Sequence, residues 1–142
     1  MKIIVDAMGG DNAPLEIVKG ALQAQKRFGA AIVFTGDEAA ILDAVRACGL
    51  TDLPDGAAVI PATETVEMCD DPATVFRRKK DTSMGVGLTL LKNGGGDAMV
   101  SAGSTGALLT GATLITKRIH GIRRAAMAPA VSYTHLTLPT SD

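Results

Sequence analysis

Short apolar runs alternate with segments of helical periodicity along this chain, and that alternation constrains its fold more than any other feature. The runs cover residues 2–6, 31–35, 57–60 and 97–102. Around them, apolar residues recur every three to four positions, which predicts helices over residues 14–28, 40–48, 73–80 and 83–93, and a last helix that follows the turn 103–106 and runs to about residue 119. Strands that alternate with helices predict an α/β fold, with a mostly parallel sheet and helices on both faces in three αβα layers.

The predicted topology also indicates where a ligand would bind. Right-handed crossovers between parallel strands place the C-terminal end of every strand at one rim of the sheet, where open α/β sheets bind their ligands. A glycine-rich loop follows the first strand, and another follows the last strand. We therefore expect functional residues of this chain in these two loops.

The charged residues are distributed unevenly, although the whole chain has a net charge of −1. Residues 1–71 contain 5 basic and 12 acidic residues, whereas residues 72–142 contain 9 basic and 3 acidic ones. The second part is therefore expected to attract anions. Its basic residues come without aromatic stacking platforms or zinc-finger spacing, which disfavours nucleic acid as a partner and favours a small anion or an acidic protein.

Length and composition favour a soluble, cytoplasmic protein with one core. The chain has 142 residues, of which 46% are hydrophobic, and this is enough for a single domain. No stretch reaches the roughly 18 apolar residues that a membrane span needs, and the apolar start is too short for a signal peptide. Cys48 and Cys69 lack the spacing of a metal or redox motif, so we expect two reduced cysteines.

The segment Ser101-Ala-Gly-Ser-Thr-Gly106 connects the last predicted strand to the last predicted helix, whose apolar face is expected to bury Leu108, Ala112, Ile115 and Ile119. The N-terminus of a helix presents unpaired N–H donors and about half a positive charge. No acidic residue occurs within this helix, so an external anion would complement its charge, and the loop glycines would leave the backbone open to that anion. The expected contacts are Ser101, Gly103, Ser104, Thr105 and Gly106. A helix capped by Ser or Thr without any ligand is the alternative.

A second candidate for anion binding is the run Arg77-Arg78-Lys79-Lys80. A helix spreads such a run around its surface, so only one or two of the side chains could face a common ligand. Arginine makes planar, bidentate contacts with phosphate, which makes the run a candidate anion clamp. A charged surface that faces only solvent is the alternative.

The loop after the first strand contains Asp6, Asp11 and Asn12. These side chains could orient cations, coordinate a metal or accept a proton, or Asp11 or Asn12 could cap the helix that starts at Pro14. Carboxylates without a histidine are a weak metal signal, so no metal is expected. The sequence also lacks GxxxxGK[ST], and it lacks GxGxxG after a strand, so ATP and NAD are not indicated and no cofactor is expected.

Four segments, in this order, carry a resemblance to a known family: Val5-Asp-Ala-Met-Gly-Gly-Asp-Asn-Ala-Pro14, Arg77-Arg-Lys-Lys-Asp-Thr-Ser-Met84, Val100-Ser-Ala-Gly-Ser-Thr-Gly-Ala-Leu108 and Ile119-His-Gly-Ile122. Together they resemble the phosphate acyltransferase family, PlsX. The resemblance implies a fold similar to phosphotransacetylase and isopropylmalate dehydrogenase. Family chains are much longer, so residues 1–131 are implied to be the N-terminal part of a truncated acyltransferase domain. Residues 132–142 differ in composition and are expected to be a non-native tail.

The resemblance implies acyl transfer from acyl-acyl carrier protein to inorganic phosphate, which forms an acyl phosphate for phospholipid synthesis. It assigns contacts with phosphate or the oxyanion to residues 101 and 103–106, and contacts with phosphate or the acidic carrier protein to residues 77–80. Asp6, Asp11 and Asn12 would organise the rim and include the candidates for a general base. The full-length protein is expected to form a homodimer and to associate peripherally with the membrane. The alternatives are a non-catalytic phosphate-binding or interaction module and a phosphotransacetylase that uses acyl-coenzyme A.

Overall fold

Four parallel strands form one sheet in the computed structural model, which describes residues 1–128. The strands are β1 (Lys2–Asp6), β2 (Ala31–Gly36), β3 (Ala57–Pro61) and β4 (Ala98–Val100), and they lie in the order β3-β2-β1-β4. β1 pairs with both β2 and β4, and β2 also pairs with β3. The α/β fold and the parallel sheet predicted from the sequence are therefore confirmed.

In the described part of the chain, five α-helices connect or follow these strands. They are α1 (Leu15–Phe28), α2 (Glu38–Ala47), α3 (Val75–Arg78), α4 (Ser83–Lys92) and α5 (Thr105–Gly111), and a π-helical turn (Ala112–Thr116) continues α5. Gly29 ends α1 with a left-handed φ of 66°, a conformation that glycine adopts without steric cost. Asp37 begins α2, because its carboxylate accepts hydrogen bonds from the N–H groups of Ala39 and Ala40.

The helices lie on both faces of the sheet, as the three-layer prediction requires. On one face, Val5 and Phe34 pack in a buried cluster with residues of α1 and α2, such as Val18 and Ile41. On the other face, α4 lies close to β1 and β4: a Cβ on Gly87 would be 2.8 Å from Met99 Cε and 3.3 Å from Ile4 Cγ2. The second cluster, between α4 and α5, contains Val75, Met84, Leu88 and Ala107.

The last helix ends earlier than predicted, because it was expected to run to about residue 119 and its π-helical continuation ends at Thr116. Lys117, at the end of the π-helical turn, has a φ of 70°, which a helix cannot accommodate. Leu108, Ala112 and Ile115 pack against the second cluster as predicted, but Ile119 is 81% exposed. The prediction that Ile119 is buried is therefore wrong, because the chain leaves the helix before reaching it.

Two other elements are also shorter than predicted. Residues 73 and 74 belong to a turn in which the Asp71 carbonyl accepts from the N–H groups of Thr74 and Val75, so α3 begins only at Val75. Lys79 has extended backbone angles and ends the same helix. β4 ends at Val100, because the next residue turns towards the end of β1.

Within residues 1–128, no helix is both long enough and apolar enough to cross a bilayer. The predicted tail, residues 132–142, lies outside the described residues, so its origin stays a prediction.

Candidate functional site

A hydrogen bond between distant parts of the sequence joins the loops that follow β1 and β4. The Ser101 hydroxyl donates to Asp6 Oδ2 at 2.7 Å, and the Met8 N–H donates to Asp6 Oδ1 at 3.3 Å. The Asp6 side chain lies at the end of β1 and is only 1% exposed. A buried carboxylate is stable only where hydrogen bonds replace its contacts with water, and these two donors provide them.

Ser101 extends this contact into the loop before α5. Its Oγ accepts a hydrogen bond from the Gly103 N–H at 3.2 Å, so Asp6, Ser101 and Gly103 form one chain of hydrogen bonds. The end of β1 therefore determines the path of the backbone that enters α5. Asp6 thus links the end of β1 to the β4–α5 loop, and its role in a functional site stays a prediction.

Gly9 lies directly against this hydrogen-bonded chain. A Cβ at this position would be 2.8 Å from Asp6 Oδ2 and 2.9 Å from both the Gly103 nitrogen and Ser101 Oγ. Any side chain at Gly9 would thus separate the two loops. The sequence identified a glycine-rich turn but not the individual importance of Gly9, because the atoms that crowd it come from the far end of the chain.

The glycines of the β4–α5 loop also lie close to other segments of the protein. A Cβ on Gly103 would be 3.3 Å from Gly9 Cα, and a Cβ on Gly106 would be 3.3 Å from Pro72 Cγ. The lack of a side chain at these positions thus lets neighbouring segments approach, and a role of the same glycines in admitting an anion stays a prediction.

The first backbone N–H groups of α5 have no acceptor in the described part of the chain. Ser104 is the N-cap residue, is 8% exposed, and its Oγ accepts from the Ala107 N–H at 3.4 Å. Among the hydrogen bonds of residues 1–128, none uses the N–H groups of Ser104, Thr105 or Gly106. Within residues 1–128, no carboxylate or carbonyl of the protein therefore occupies these donors, and α5 carries no acidic residue in its first turn.

A cavity of about 320 Å³ is lined by Gly103 and Ser104, the residues that lead into α5. Three connections contribute to its wall, namely the loops after β1, β3 and β4. The lining residues are Met8, Gly10, Asp11, Thr65, Val66, Glu67, Met68, Ala102, Gly103 and Ser104. A wider groove of about 950 Å³ lies beside α1 and α2 but contains none of the predicted site residues. The smaller cavity is therefore the candidate site on chemical grounds.

The acidic and amide residues of the β1–α1 loop occupy different positions. Asp11 lines the cavity, whereas Asn12 is exposed and does not. Neither side chain caps α1: Pro14 occupies the N-cap position without a side-chain hydrogen bond, and Asn12 contributes only its backbone carbonyl, to the Glu16 N–H. The alternative in which Asp11 or Asn12 is a capping residue is wrong. The described residues contain no cluster of three or more His, Cys, Asp or Glu that could hold a metal.

The four consecutive cations do not act as one group. Lys79 is half-buried, and its Nζ donates to Asp70 Oδ2 at 2.7 Å and to the Thr65 carbonyl at 3.1 Å. Arg77, Arg78 and Lys80 are exposed, and none of them lines the cavity beside α5. Anion binding by the exposed members of this run stays a prediction, whereas Lys79 is already engaged by the protein.

The ion pair between Lys79 and Asp70 shifts both pKa values in the direction that stabilises it. Hydrogen bonds from Lys79 and from the Glu67 N–H lower the pKa of Asp70 below its ordinary value of 3.8. The hydrogen bond to Asp70 raises the pKa of Lys79 above its ordinary value of 10.5. The ionised Asp70 carboxylate contributes to the stability of the folded protein, and this contribution is fully present above pH 3.8. It is lost as the pH falls through the lower pKa that Asp70 has in the folded protein. The charged Lys79 ammonium group contributes to the same stability, and this contribution is lost only as the pH rises through the raised pKa that Lys79 has in the folded protein.

We predict that the Asp70 carboxyl titrates below 3.8 in this protein and that the Lys79→Met substitution moves its midpoint upwards, because the strongest donor to the carboxylate is then lost. The measurement is the carboxyl ¹³C chemical shift of Asp70 as a function of pH in both proteins. The same midpoint in both would contradict the assigned cause.

Comparisons with known sequences identify relatives of this chain. A family model described as "Fatty acid synthesis protein" matches residues 1–137. The phosphate acyltransferase of Thermotoga neapolitana is 47% identical over 131 residues, which are 92% of this chain and 36% of the relative. The enzymes of the same name from Thermoanaerobacterium thermosaccharolyticum and Herpetosiphon aurantiacus are 45% and 41% identical, over 91% and 95% of this chain and 37% and 36% of their own lengths.

These matches confirm the resemblance that the four segments carry. The chain spans little more than a third of the length of the curated relatives, 36–37% in these three cases. The Asp6–Ser101 junction, the free N–H groups of α5 and the cavity all lie within the matched range. On the strength of the matched range and these identities, the chain belongs to the fatty acid synthesis protein family, and the relatives that it matches are named phosphate acyltransferases.

Proposed function

We propose that this chain contributes the phosphate-binding part of an enzyme that transfers an acyl group from acyl-acyl carrier protein to inorganic phosphate, forming an acyl phosphate for phospholipid synthesis. The observation that carries the proposal is that the N–H groups of Ser104, Thr105 and Gly106 have no acceptor among the described residues, while Ser104 itself lines a cavity at the C-terminal rim of the sheet. The names of the relatives support the reaction class. We place the enzyme in the cytoplasm, and propose a homodimer with peripheral membrane association for the full-length protein.

Phosphate would bind at the N-terminus of α5, where hydroxyl groups of the β4–α5 loop lie next to the first N–H groups of the helix. The N–H groups in the first turn of α5 point out of its N-terminus. This is the positive end of the helix, and it attracts anions. The Ser104 and Thr105 hydroxyls are additional donors, and Ser101 and Gly103 hold the backbone in place through Asp6. Bound in this way, the phosphate ion is held in a fixed orientation, which is a large part of what an enzyme contributes to a reaction between two substrates.

The proposed reaction needs no nucleophile from the protein. A phosphate oxygen attacks the thioester carbonyl carbon, a new C–O bond forms, and the C–S bond breaks. The carrier protein leaves as its thiol after taking up a proton, and the acyl phosphate remains. Backbone N–H groups near the cavity would stabilise the oxyanion that develops on the carbonyl oxygen.

The two aspartates and the asparagine that follow β1 would have different roles. Each carboxylate oxygen of Asp6 accepts a hydrogen bond, one from Ser101 and one from Met8, and the side chain is buried, so we assign Asp6 to organising the loops rather than to proton transfer. Asp11 lines the cavity and is the better candidate for a base that accepts a proton from phosphate. Asn12, at the exposed end of the same loop, would support its conformation.

The exposed cations Arg77, Arg78 and Lys80 would attract the acidic carrier protein or add to phosphate binding from outside the cavity. Attraction between exposed charges is screened by salt, with a Debye length of about 8 Å at physiological ionic strength. We therefore expect the carrier protein to associate faster at low salt than at high salt.

We predict that inorganic phosphate shifts the backbone amide resonances of Ser104, Thr105 and Gly106 in a saturable manner, because these groups have no acceptor in the described chain. A ¹H–¹⁵N titration of the protein measures the effect. The Gly29 amide, which already donates to the Gln25 carbonyl, is the internal control and should not respond. Equal responses at both places would indicate a salt effect and would count against the site.

The activity is tested on a longer protein that contains this segment, with either acyl-acyl carrier protein or acyl-coenzyme A as the donor. Acyl phosphate is detected by trapping with hydroxylamine. Formation from the carrier-protein donor supports the proposal, whereas a clear preference for acyl-coenzyme A favours a phosphotransacetylase. Phosphate binding without thioester cleavage from either donor would favour a non-catalytic binding module.

A further inference from the structure

The loop Thr65–Asp70, which we call the cavity loop, forms one wall of the candidate site. Thr65, Val66, Glu67 and Met68 line the cavity together with Gly103 and Ser104 of the β4–α5 loop. The position of the cavity loop thus sets the distance across the space beside the free N–H groups. A displacement of this loop would change the cavity without altering α5 itself.

Lys79 holds the cavity loop at both ends. Its Nζ donates to the Thr65 carbonyl at 3.1 Å and to Asp70 Oδ2 at 2.7 Å. The same Asp70 oxygen accepts from the Glu67 N–H at 2.9 Å, and the Glu67 carbonyl accepts from the Asp70 N–H at 3.1 Å. One ammonium group therefore closes the loop through a connected set of hydrogen bonds.

The burial of this ion pair makes it stronger than an ordinary surface pair. The side chains of Lys79 and Asp70 are 29% and 17% exposed, whereas those of the Lys19–Glu16 pair on α1 are 51% and 55% exposed. The distance is also shorter, 2.7 Å against 3.5 Å. Partial removal from water reduces screening, so the Lys79 contact is the one expected to restrain the backbone.

The residues just before the cavity loop are held by different contacts. The Thr63 N–H and hydroxyl both donate to Asp81 Oδ2, at 2.9 Å and 2.7 Å. The Glu64 N–H donates to the Asp81 carbonyl at 3.0 Å. These bonds do not involve Lys79, so its removal should release the cavity loop and leave the preceding residues in place.

We propose that Lys79 is a positioning residue of the candidate site: it holds the cavity loop against the β4–α5 loop instead of binding the anion directly. The inference rests on the proposed function, because the width of the cavity matters only if a ligand enters it. It separates Lys79 from its neighbours in the basic run, whose side chains are exposed.

The first test measures the loop without any ligand. In Lys79→Met, we expect hydrogen exchange at the Glu67 and Asp70 amides to become faster by a factor of about three to ten, the effect of losing a partly buried charged hydrogen bond. The Glu64 amide should keep its rate. The matched control is Lys19→Met, which removes the same charge from an exposed pair and should leave all three amides unchanged. Unchanged exchange in Lys79→Met would overturn the inference.

The second test measures the site with inorganic phosphate as the probe. We expect the phosphate dissociation constant, followed at the Ser104 and Thr105 amides, to rise about fivefold in Lys79→Met, to recover largely in Lys79→Arg, and to stay constant in Lys19→Met. Weaker phosphate binding without faster loop exchange would overturn the inference, because it would make Lys79 a direct ligand. Faster exchange with unchanged phosphate binding would overturn it as well.

The two tests also separate this inference from the proposed function. If phosphate has no effect on the α5 amides of the unsubstituted protein, the proposed function fails and the positioning role fails with it. If phosphate binds to the unsubstituted protein and Lys79→Met changes neither loop exchange nor affinity, the proposed function stands and only the role of Lys79 is refuted.

Discussion

Replacement of Asp6 by alanine is expected to lower the free energy of unfolding by about 2–3 kcal/mol, which is the range for losing hydrogen bonds to a charged group and leaving their donors unpaired. The carboxylate is buried and accepts from the Ser101 hydroxyl and the Met8 N–H. The same substitution should disconnect Gly103 from β1, so phosphate should bind more weakly at the start of α5. Urea denaturation and the phosphate titration measure the two effects.

A matched control for this substitution is Asp43→Ala. Asp43 also pairs through a short contact, 2.9 Å to Arg46, but its side chain is 75% exposed. Exposed pairs one helical turn apart contribute little, so the expected change is below about 0.5 kcal/mol. Equal losses for Asp6→Ala and Asp43→Ala would mean that the Asp6–Ser101 junction does not stabilise the rim.

Ser101→Ala allows the contribution of the junction to be isolated. A double-mutant cycle with Asp6→Ala should give a coupling free energy of about 1–3 kcal/mol, because each single substitution removes the same hydrogen bond. Additive effects would contradict the contact.

Replacement of Gly9 by alanine is expected to destabilise the protein by about 1–3 kcal/mol, the usual cost of forcing a group into a packed site. The added Cβ would be 2.8 Å from Asp6 Oδ2 and 2.9 Å from the Gly103 nitrogen, so the two loops must separate. We expect phosphate affinity to fall on the order of tenfold, which corresponds to a loss of about 1.4 kcal/mol of interaction. Thermal or urea unfolding and the phosphate titration measure these changes.

The control for the glycine substitution is Gly20→Ala in α1. Apart from the adjoining residues and the nearby backbone of its own helix, no atom lies within 4 Å of a Cβ built at Gly20, and its φ is not positive. A helical alanine in place of glycine should therefore raise the stability by about 0.4–1 kcal/mol, because it restricts the unfolded chain. If Gly9→Ala is tolerated as well as Gly20→Ala, the close approach of the two loops is not required for the fold.

The elements of the sheet and its helices could be predicted because their signals are local. The run 2–6 has three consecutive apolar residues at its centre, as in a buried parallel strand, and the helix from 14 to 28 shows one apolar face and ends at a glycine. Each pattern can be recognised within a short, continuous segment of the sequence. Element ends were less predictable: Lys117 gave no local signal for its left-handed backbone, and the burial of Ile119 was therefore wrongly expected.

The candidate site could be predicted in outline for a related reason. The parallel orientation of the strands places the loops after β1 and β4 at one rim, and a helix without acidic residues at its start indicates an anion. The sequence pattern could not predict which side chains form hydrogen bonds or ion pairs with one another. Lys79 and its neighbours are equivalent in the sequence, yet Lys79 alone among them forms an ion pair in the described chain, with Asp70.

Hydrophobic periodicity and the residue types in the loops were sufficient to predict the α/β class, the parallel sheet and the two loops at its rim. These features could be predicted because each depends on a short, continuous segment of the sequence. Which atoms meet in those loops depended on the folded chain: Asp6 contacts Ser101 across 95 positions, and Gly9 must be small because that junction lies against it. Hydrogen-bond partners and close packing depend on distances in space, and no local pattern encodes a distance between residues so far apart in the sequence.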